Sequence, residues 1–235
     1  QTLYAYWQGE PNVVEIIERD DGWIDVSGSS GPRAYFAPFE EWSPVERAAM
    51  EYVRGRVLDV GCGAGRVALY LQEREHEVVG IDVSPLALEV CRQRGVRDAR
   101  LLSITQANVS LGVFDTVVML GNNFGLFGDA RRARWLLRRW RRMTGPAGRI
   151  IAATLDPYQT DNPGHLAYHA LNRRRGRMGG QVRMRVRFRQ SIGPWLDYLF
   201  VSRDELRDIV AGTGWRVAQT LDSDGPTYVA ILEKE

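Results

Sequence analysis

The stretch VLDVGCGAGRVALYL at residues 57–71 constrains the fold more than any other part of the chain. An apolar run ends on Asp59-Val60, glycines stand at 61, 63 and 65, and a helical pattern begins at Arg66. Glycine tolerates positive φ and lets another group approach where a Cβ would block it. A strand that turns into a helix through such a loop presents helix N-terminal N–H groups. The first crevice of an open α/β sheet is where ligands use them.

The pattern around that loop alternates. RVLDV (56–60), EVVGID (77–82), DARLL (98–102), FDTVVML (114–120) and GRIIAATL (148–155) read as strands. RVALYLQER (66–74), LALEVCRQR (86–94) and ARRARWLLRRWRRM (130–143) read as helices between them. Ser84-Pro85 caps the second of these helices. This β-α-β-α rhythm predicts a parallel sheet with helices on both faces. Upstream, SGSSGPR (27–33) is expected as a loop, and Ser43-Pro44 starts a helix with Glu46 in the capping-box place. Downstream, 156–180 is polar and irregular. QVRMRVRFRQ (181–190) then alternates, with Val182, Met184, Val186 and Phe188 on one face and Arg183, Arg185, Arg187 and Arg189 on the other. DYLFVS (197–202) can pair with it. Ser202 caps a helix over 203–214, with Glu205 three residues on, and two strands around Asp224-Gly225-Pro226 close the chain.

Composition narrows the class. The 235 residues are 44% hydrophobic with a net charge of +2, so a globular core is expected and nucleic acid is neither demanded nor excluded. Two cysteines, Cys62 and Cys91, make no disulfide framework, and a reducing cytoplasm is expected. No apolar run approaches a membrane span. QTLYAYWQGE has no signal-peptide pattern. Opening on Gln1 and not on methionine, the chain is expected to lack its native start.

The ligand follows from two acids. Asp82 ends the second strand, twenty-one residues past Gly61, where a carboxylate accepts both hydroxyls of a ribose. A dinucleotide fingerprint needs a glycine five residues after the first, but that position is Arg66. Asp59 at the mouth of the loop disfavours pyrophosphate and favours an ammonium group. S-adenosylmethionine has the ammonium, the ribose and no phosphate.

In this order, VLDVGCGAGR, VVGIDVSPLALEVC, FDTVVML and GPAGRIIAATL resemble the class I S-adenosylmethionine-dependent methyltransferases over about residues 56–155. The resemblance implies a Rossmann-like, open, mostly parallel seven-stranded α/β sheet with an antiparallel C-terminal hairpin. It implies residues 1–55 as an aromatic N-terminal cap and 56–235 as the methyltransferase domain, with an inserted antiparallel segment at 156–201 on the substrate side. It assigns Asp59, Gly61, Cys62, Gly63, Gly65 and Arg66 to the methionine end of the cofactor and Asp82 to the ribose. Val83, Ser103 and Ile104 fall to the adenine, and Leu120 and Gly121 to the loop beneath it. The usual acid after the third strand is missing from LLSITQAN (101–108), so hydroxyl and backbone groups must serve there. Tyr35, Phe36, Phe39 and Trp42 are candidates for a lid over the sulfonium.

LGNNFGLFGD (120–129) looks like the GNSF-type loop of glycine-N-methyltransferase-like enzymes, so Asn122 or Asn123 is expected to hold an attacking nitrogen. Methyl transfer is an in-line displacement in which alignment supplies much of the rate. His165 and His169, four apart, are further candidates for contact with the acceptor; no third ligand accompanies them, and no metal is expected. The expected function is methyl transfer to a small-molecule nitrogen or oxygen by a monomer or homodimer. The rivals are an RNA methyltransferase, suggested by the arginine-rich tracts, and a non-catalytic S-adenosylmethionine-binding regulator. A dehydrogenase comes last because of Arg66. In the arginine-rich helix, Trp135, Leu136, Trp140 and Met143 are expected to form the apolar stripe.

Overall fold

The computed structural model describes residues 1–26 and 31–235. Residues 27–30 of the expected 27–33 loop therefore lie outside the described residues. The chain begins with helix α1 (Thr2–Trp7) and a short hairpin, β1 (Ile16–Arg19) and β2 (Ile24–Val26). A 3-10 turn over Pro32–Tyr35 and helix α2 (Pro44–Ala49) follow.

From β3 (Val57–Val60) onward the alternation appears: α3 (Arg66–Gln72), β4 (Val78–Asp82), α4 (Pro85–Gln93), β5 (Ala99–Leu101), β6 (Phe114–Met119), α5 (Ala130–Trp140) and β7 (Thr144–Leu155). The segment after β7 holds α6 (Pro163–Arg174), β8 (Gln181–Phe188), β9 (Ser191–Ile192) and β10 (Leu196–Leu199). Helix α7 (Arg203–Val210) and the hairpin β11 (Trp215–Asp222) and β12 (Thr227–Lys234) end the chain.

The large sheet has seven strands in the order β11-β12-β7-β6-β3-β4-β5. Its five central and flanking strands β3 to β7 are parallel, and β12 is inserted antiparallel between β7 and β11. Strand period two sorts its side chains into two cores. Leu58, Val117, Met119, Tyr228 and Ala230 face α5 and α7, whereas Val57, Val118, Val229 and Ile231 face α2, α3 and α4. Parallel strands covered on both faces must be apolar on both, which is why VLDV and FDTVVM read as nearly unbroken apolar runs. Ser84 and Asp129 cap α4 and α5. Ser202 and Glu205 form the full reciprocal capping box on α7.

Some expectations need correction. On α5 the buried stripe is Ala133, Leu136, Leu137 and Trp140, while Trp135 is 47% exposed beneath the Arg139 guanidinium. The stretch expected to be irregular contains the twelve-residue helix α6, started by Asn162 as cap and Pro163 at its first position. The expected helix over 203–214 stops at Val210.

The second sheet is antiparallel, in the order β10-β8-β1-β2, with β9 paired to β8. The inserted strand β8 thus pairs with DYLFVS as expected, and on its other side with the N-terminal β1, where Ile17 lies opposite Val186 and Glu18 opposite Arg185. Its arginines are consumed by carboxylates. Arg185 and Arg187 both reach Glu18, at 2.8 and 3.1 Å, Arg183 faces Asp197 and Arg189 pairs with Glu10. Its apolar face looks the other way, toward the large sheet's glycine loop.

Candidate active site

A cavity of about 810 Å³ lies where the second sheet faces the C-terminal ends of β3, β4 and β6. That is within the range of about 300–1,000 Å³ typical of small-molecule sites, and at the place where an open α/β sheet binds ligands.

Its floor is the glycine loop. The N–H groups of Gly61 and Cys62 both donate to the Ile81 carbonyl, which turns the chain sharply off β3. Gly61 and Gly63 have φ of 73° and 54°, in the left-handed region. A Cβ at Gly61 would stand 2.7 Å from the Asn123 amide nitrogen. Above Gly63 the nearest atoms are the Tyr35 ring, at 3.3 Å, and Leu3. Gly65 does not line the cavity: its Cβ would strike Val96 at 2.5 Å, so its role is to let α3 and α4 pack.

Two carboxylates frame the loop. Asp82 accepts the Gly63 N–H at 3.0 Å and the Ser84 N–H at 2.9 Å. The Gly63 amide is therefore spent on Asp82 and is not an open donor. Burial raises the Asp82 carboxyl above the ordinary range in spite of these bonds. Asp59 is 2% exposed, and its Oδ2 has no hydrogen-bond partner. Burial, opposed by the Arg66 charge, pushes its carboxyl up to about 7. Such a buried, unpaired carboxylate is costly, and it marks where a cationic group fits. Cys62 also lines the floor; its thiol is pushed up by the neighbouring Cys91 and by burial, so it stays protonated.

Arg66 acts at one remove. Its guanidinium lies over the Trp42 ring and pairs with Glu46 at 3.2 Å, and Glu46 in turn accepts the Gly121 N–H at 2.9 Å. Glu46 was expected to complete a helix cap. Ser43 does accept its N–H, but its carboxylate ties α2 to the loops after β3 and β6.

The two asparagines divide. Asn123 donates to the carbonyls of Val60 and Gly61, at 2.9 and 3.0 Å, and so latches the glycine loop. Asn122 has φ 64°, and its Oδ1 is buried without a partner at the cavity wall. The Tyr198 hydroxyl donates to the Asn122 carbonyl at 2.8 Å.

Among the other expected site residues, Val83, Ser103, Ile104, Leu120, Gly121 and Tyr35 line the cavity. Phe36 does not: it stacks on Trp7 and lies beneath Arg94. Phe39 and Trp42 pack with Tyr70 outside the cleft. His165 and His169 are also absent from the lining. His165 packs against Trp23 and His169 against Tyr158, because the inner face of α6 meets the outer parts of the second sheet. Helical spacing put the two histidines on one face but could not say which way that face points.

The roof was not anticipated. Glu15, Ile17, Met184, Val186, Leu196, Tyr198 and Phe200 close the cavity opposite the glycine loop. For Met184 and Val186 the signal was present, in the faultless alternation of QVRMRVRFRQ. For Glu15 none was.

Among the described residues, no helix is long and apolar enough to cross a membrane, and no three His, Cys, Asp or Glu side chains group as a metal site.

Comparison with known proteins agrees with this geometry. Residues 57–148 match the methyltransferase domain family. The Bacillus subtilis protein YqeM, named as a methyltransferase, is 32% identical over 87 residues, 35% of this chain and 35% of its own. The ubiquinone biosynthesis O-methyltransferase of Vibrio cholerae is 30% identical over 108 residues, 46% of this chain and 44% of its own. The matches thus span a third to under a half of those relatives' lengths. A methyltransferase from Bacteroides fragilis, crystallised with S-adenosylhomocysteine, shares the fold along the chain. Its TM-score is 0.82 at 24% identity, covering 99% of this chain and 92% of that one. With the glycine loop, the two acids and the seven-stranded sheet in place, the chain belongs to the class I S-adenosylmethionine-dependent methyltransferases.

Proposed function

We propose that the protein transfers a methyl group from S-adenosylmethionine to a small, largely apolar molecule bearing a nucleophilic nitrogen or oxygen. One observation carries this reading. A single cavity has the glycine loop with Asp59 and Asp82 on its floor, and an apolar sheet face with few polar groups as its roof.

The residues fit the cofactor. The orphaned Oδ2 of Asp59 suits an ammonium, and the space over Gly63 admits a chain that a Cβ would exclude. Asp82, already oriented by two backbone N–H groups, keeps lone pairs for ribose hydroxyls. Val83 and Ile104 offer apolar surface to an adenine. When bound, the cofactor supplies an activated methyl on a sulfonium. The chain's work is to align the acceptor with it, to exclude water with Met184 and Val186, and to receive any proton the acceptor loses. Asn122 Oδ1 is a free acceptor for an N–H or O–H at that point. The arginines of β8, which prompted the RNA reading, are held in ion pairs and do not offer a phosphate track.

The test has two stages. Calorimetry with S-adenosylhomocysteine should give a saturable isotherm that NAD does not, and Asp82→Ala should weaken it by about 1–3 kcal/mol. Incubation with S-adenosylmethionine and a pool of small metabolites should then release S-adenosylhomocysteine. Binding without any release would favour a regulator; binding of NAD alone would refute the assignment.

A further inference from the structure

We propose that Glu15 determines the acceptor, and that the acceptor is an amine carried on an apolar body; this rests on the methyl-transfer reading above.

Strand parity places the residue. Along β1 and the residue before it, Glu15 and Ile17 share the face that looks into the cavity, and Glu18 lies on the opposite face. Glu18 is matched by two arginines, at 2.8 and 3.1 Å. Glu15 is matched by none. Its carboxyl forms no side-chain hydrogen bond or ion pair with a described residue, and the α-amino group of Gln1 attracts it only from beyond ion-pair distance. The other three acids of the cavity are committed: Glu46 to Arg66 and Gly121, Asp82 to the loop, Asp59 to the floor.

The roof around Glu15 is apolar or aromatic, from Ile17, Met184, Val186 and Tyr198. Tyr35 stands between the charges of Glu15 and Asp82, which together with burial push its hydroxyl up to about 12, so it remains a neutral donor. A lone carboxylate in such walls favours a cation, and aromatic faces add to the attraction. It disfavours a phenolate or a carboxylate, which would meet like charge. The free acceptor oxygen of Asn122 serves the same nitrogen through its remaining N–H.

The step balances. An ammonium arriving at Glu15 gives its proton to the carboxylate, leaving a free lone pair on nitrogen. That lone pair forms the N–C bond while the S–C bond breaks, and the sulfur keeps the electron pair as a neutral thioether. The product is a methylated ammonium and a protonated Glu15, which returns its proton to solvent on release.

The experiment compares matched skeletons. 4-Phenylbutylamine and tryptamine are incubated with the enzyme and S-adenosylmethionine beside 4-phenylbutanol and 5-hydroxyindole, and S-adenosylhomocysteine release is measured. The amines should turn over and the hydroxyl compounds should not. In Glu15→Gln the amine KM should rise tenfold or more. Calorimetry with S-adenosylhomocysteine on the same samples checks that the variant has folded. Turnover of the hydroxyl compounds alone, an unchanged amine KM in Glu15→Gln, or no turnover of either amine while S-adenosylhomocysteine still binds would each overturn the role of Glu15. Failure of the parent protein to bind S-adenosylhomocysteine would overturn instead the methyl-transfer reading beneath it.

Discussion

Lowering the pH should weaken cofactor binding through Asp59, and the size of the effect follows from its surroundings. The carboxyl is buried, has one oxygen without a partner, and titrates at about 7 in the free protein. An ammonium placed against it favours the ionised form, so its pKa falls on binding and protons are released whenever the free group was protonated. With a free value near 7, roughly half the molecules carry the charge at pH 7 and about 3% at pH 5.5. Affinity for S-adenosylhomocysteine should therefore fall about fifteenfold across that interval, or ~1.5–2 kcal/mol. Asp82, also raised by burial, titrates in the same sense and can only steepen the fall. The measurement is calorimetry at both pH values in two buffers of different ionisation enthalpy, which counts the protons. Nearly one proton should leave per ligand at pH 5.5. Asp59→Asn should bind more weakly at pH 7 and lose most of the pH dependence. A flat affinity with no proton release would show that no cation meets Asp59.

The same group predicts a stability effect with a definite sign. Because folding raises the Asp59 pKa from 3.8 to about 7, the folded chain binds the extra proton in that window and loses stability as pH rises through it. Without ligand, Asp59→Asn should gain about 2–3 kcal/mol on the parent between pH 5 and pH 8; parallel urea midpoints would count against the burial of the charge. Asn123→Ala removes the two bonds that latch the glycine loop and should cost about 1–3 kcal/mol in urea unfolding; an unchanged midpoint would make the latch dispensable. Gly125→Ala would put a Cβ 1.9 Å from the Tyr198 ring, an overpacking cost of ~1–3 kcal/mol that lowers the melting temperature. Adding Tyr198→Leu should recover part of it, and no recovery would place the strain elsewhere.

The large sheet was legible because its strands are apolar on both faces and its helices carry caps that bond within the first turn. Ser84, Asp129 and the Ser202–Glu205 pair act locally, so sequence neighbours suffice to foresee them. Asp59, Gly61, Gly63 and Asp82 were legible for a like reason, since a strand-loop-helix junction and the tip of the next strand come together in any parallel βαβ unit. The roof was not, because it depends on pairing between residues 16–19 and 184–187, far apart in the chain. β1 is four residues long and carries little alternation of its own. Gly65 and Arg66 show a subtler limit. Their place in the motif suggested ligand contact, yet Gly65 serves helix packing and Arg66 reaches the cleft chiefly through Glu46.

β1 is an interior strand, bonded to β2 on one side and to β8 on the other. An interior strand cannot swing aside like a hinged flap, because two ladders would have to break together. Traffic of spent nucleoside must instead pass where α1 and the Pro32–Tyr35 turn rest on α4 and on each other, through contacts such as the Trp7 indole N–H to Gln93. Departure of one reactant and retention of the other are thus governed by different pieces of the same N-terminal arm.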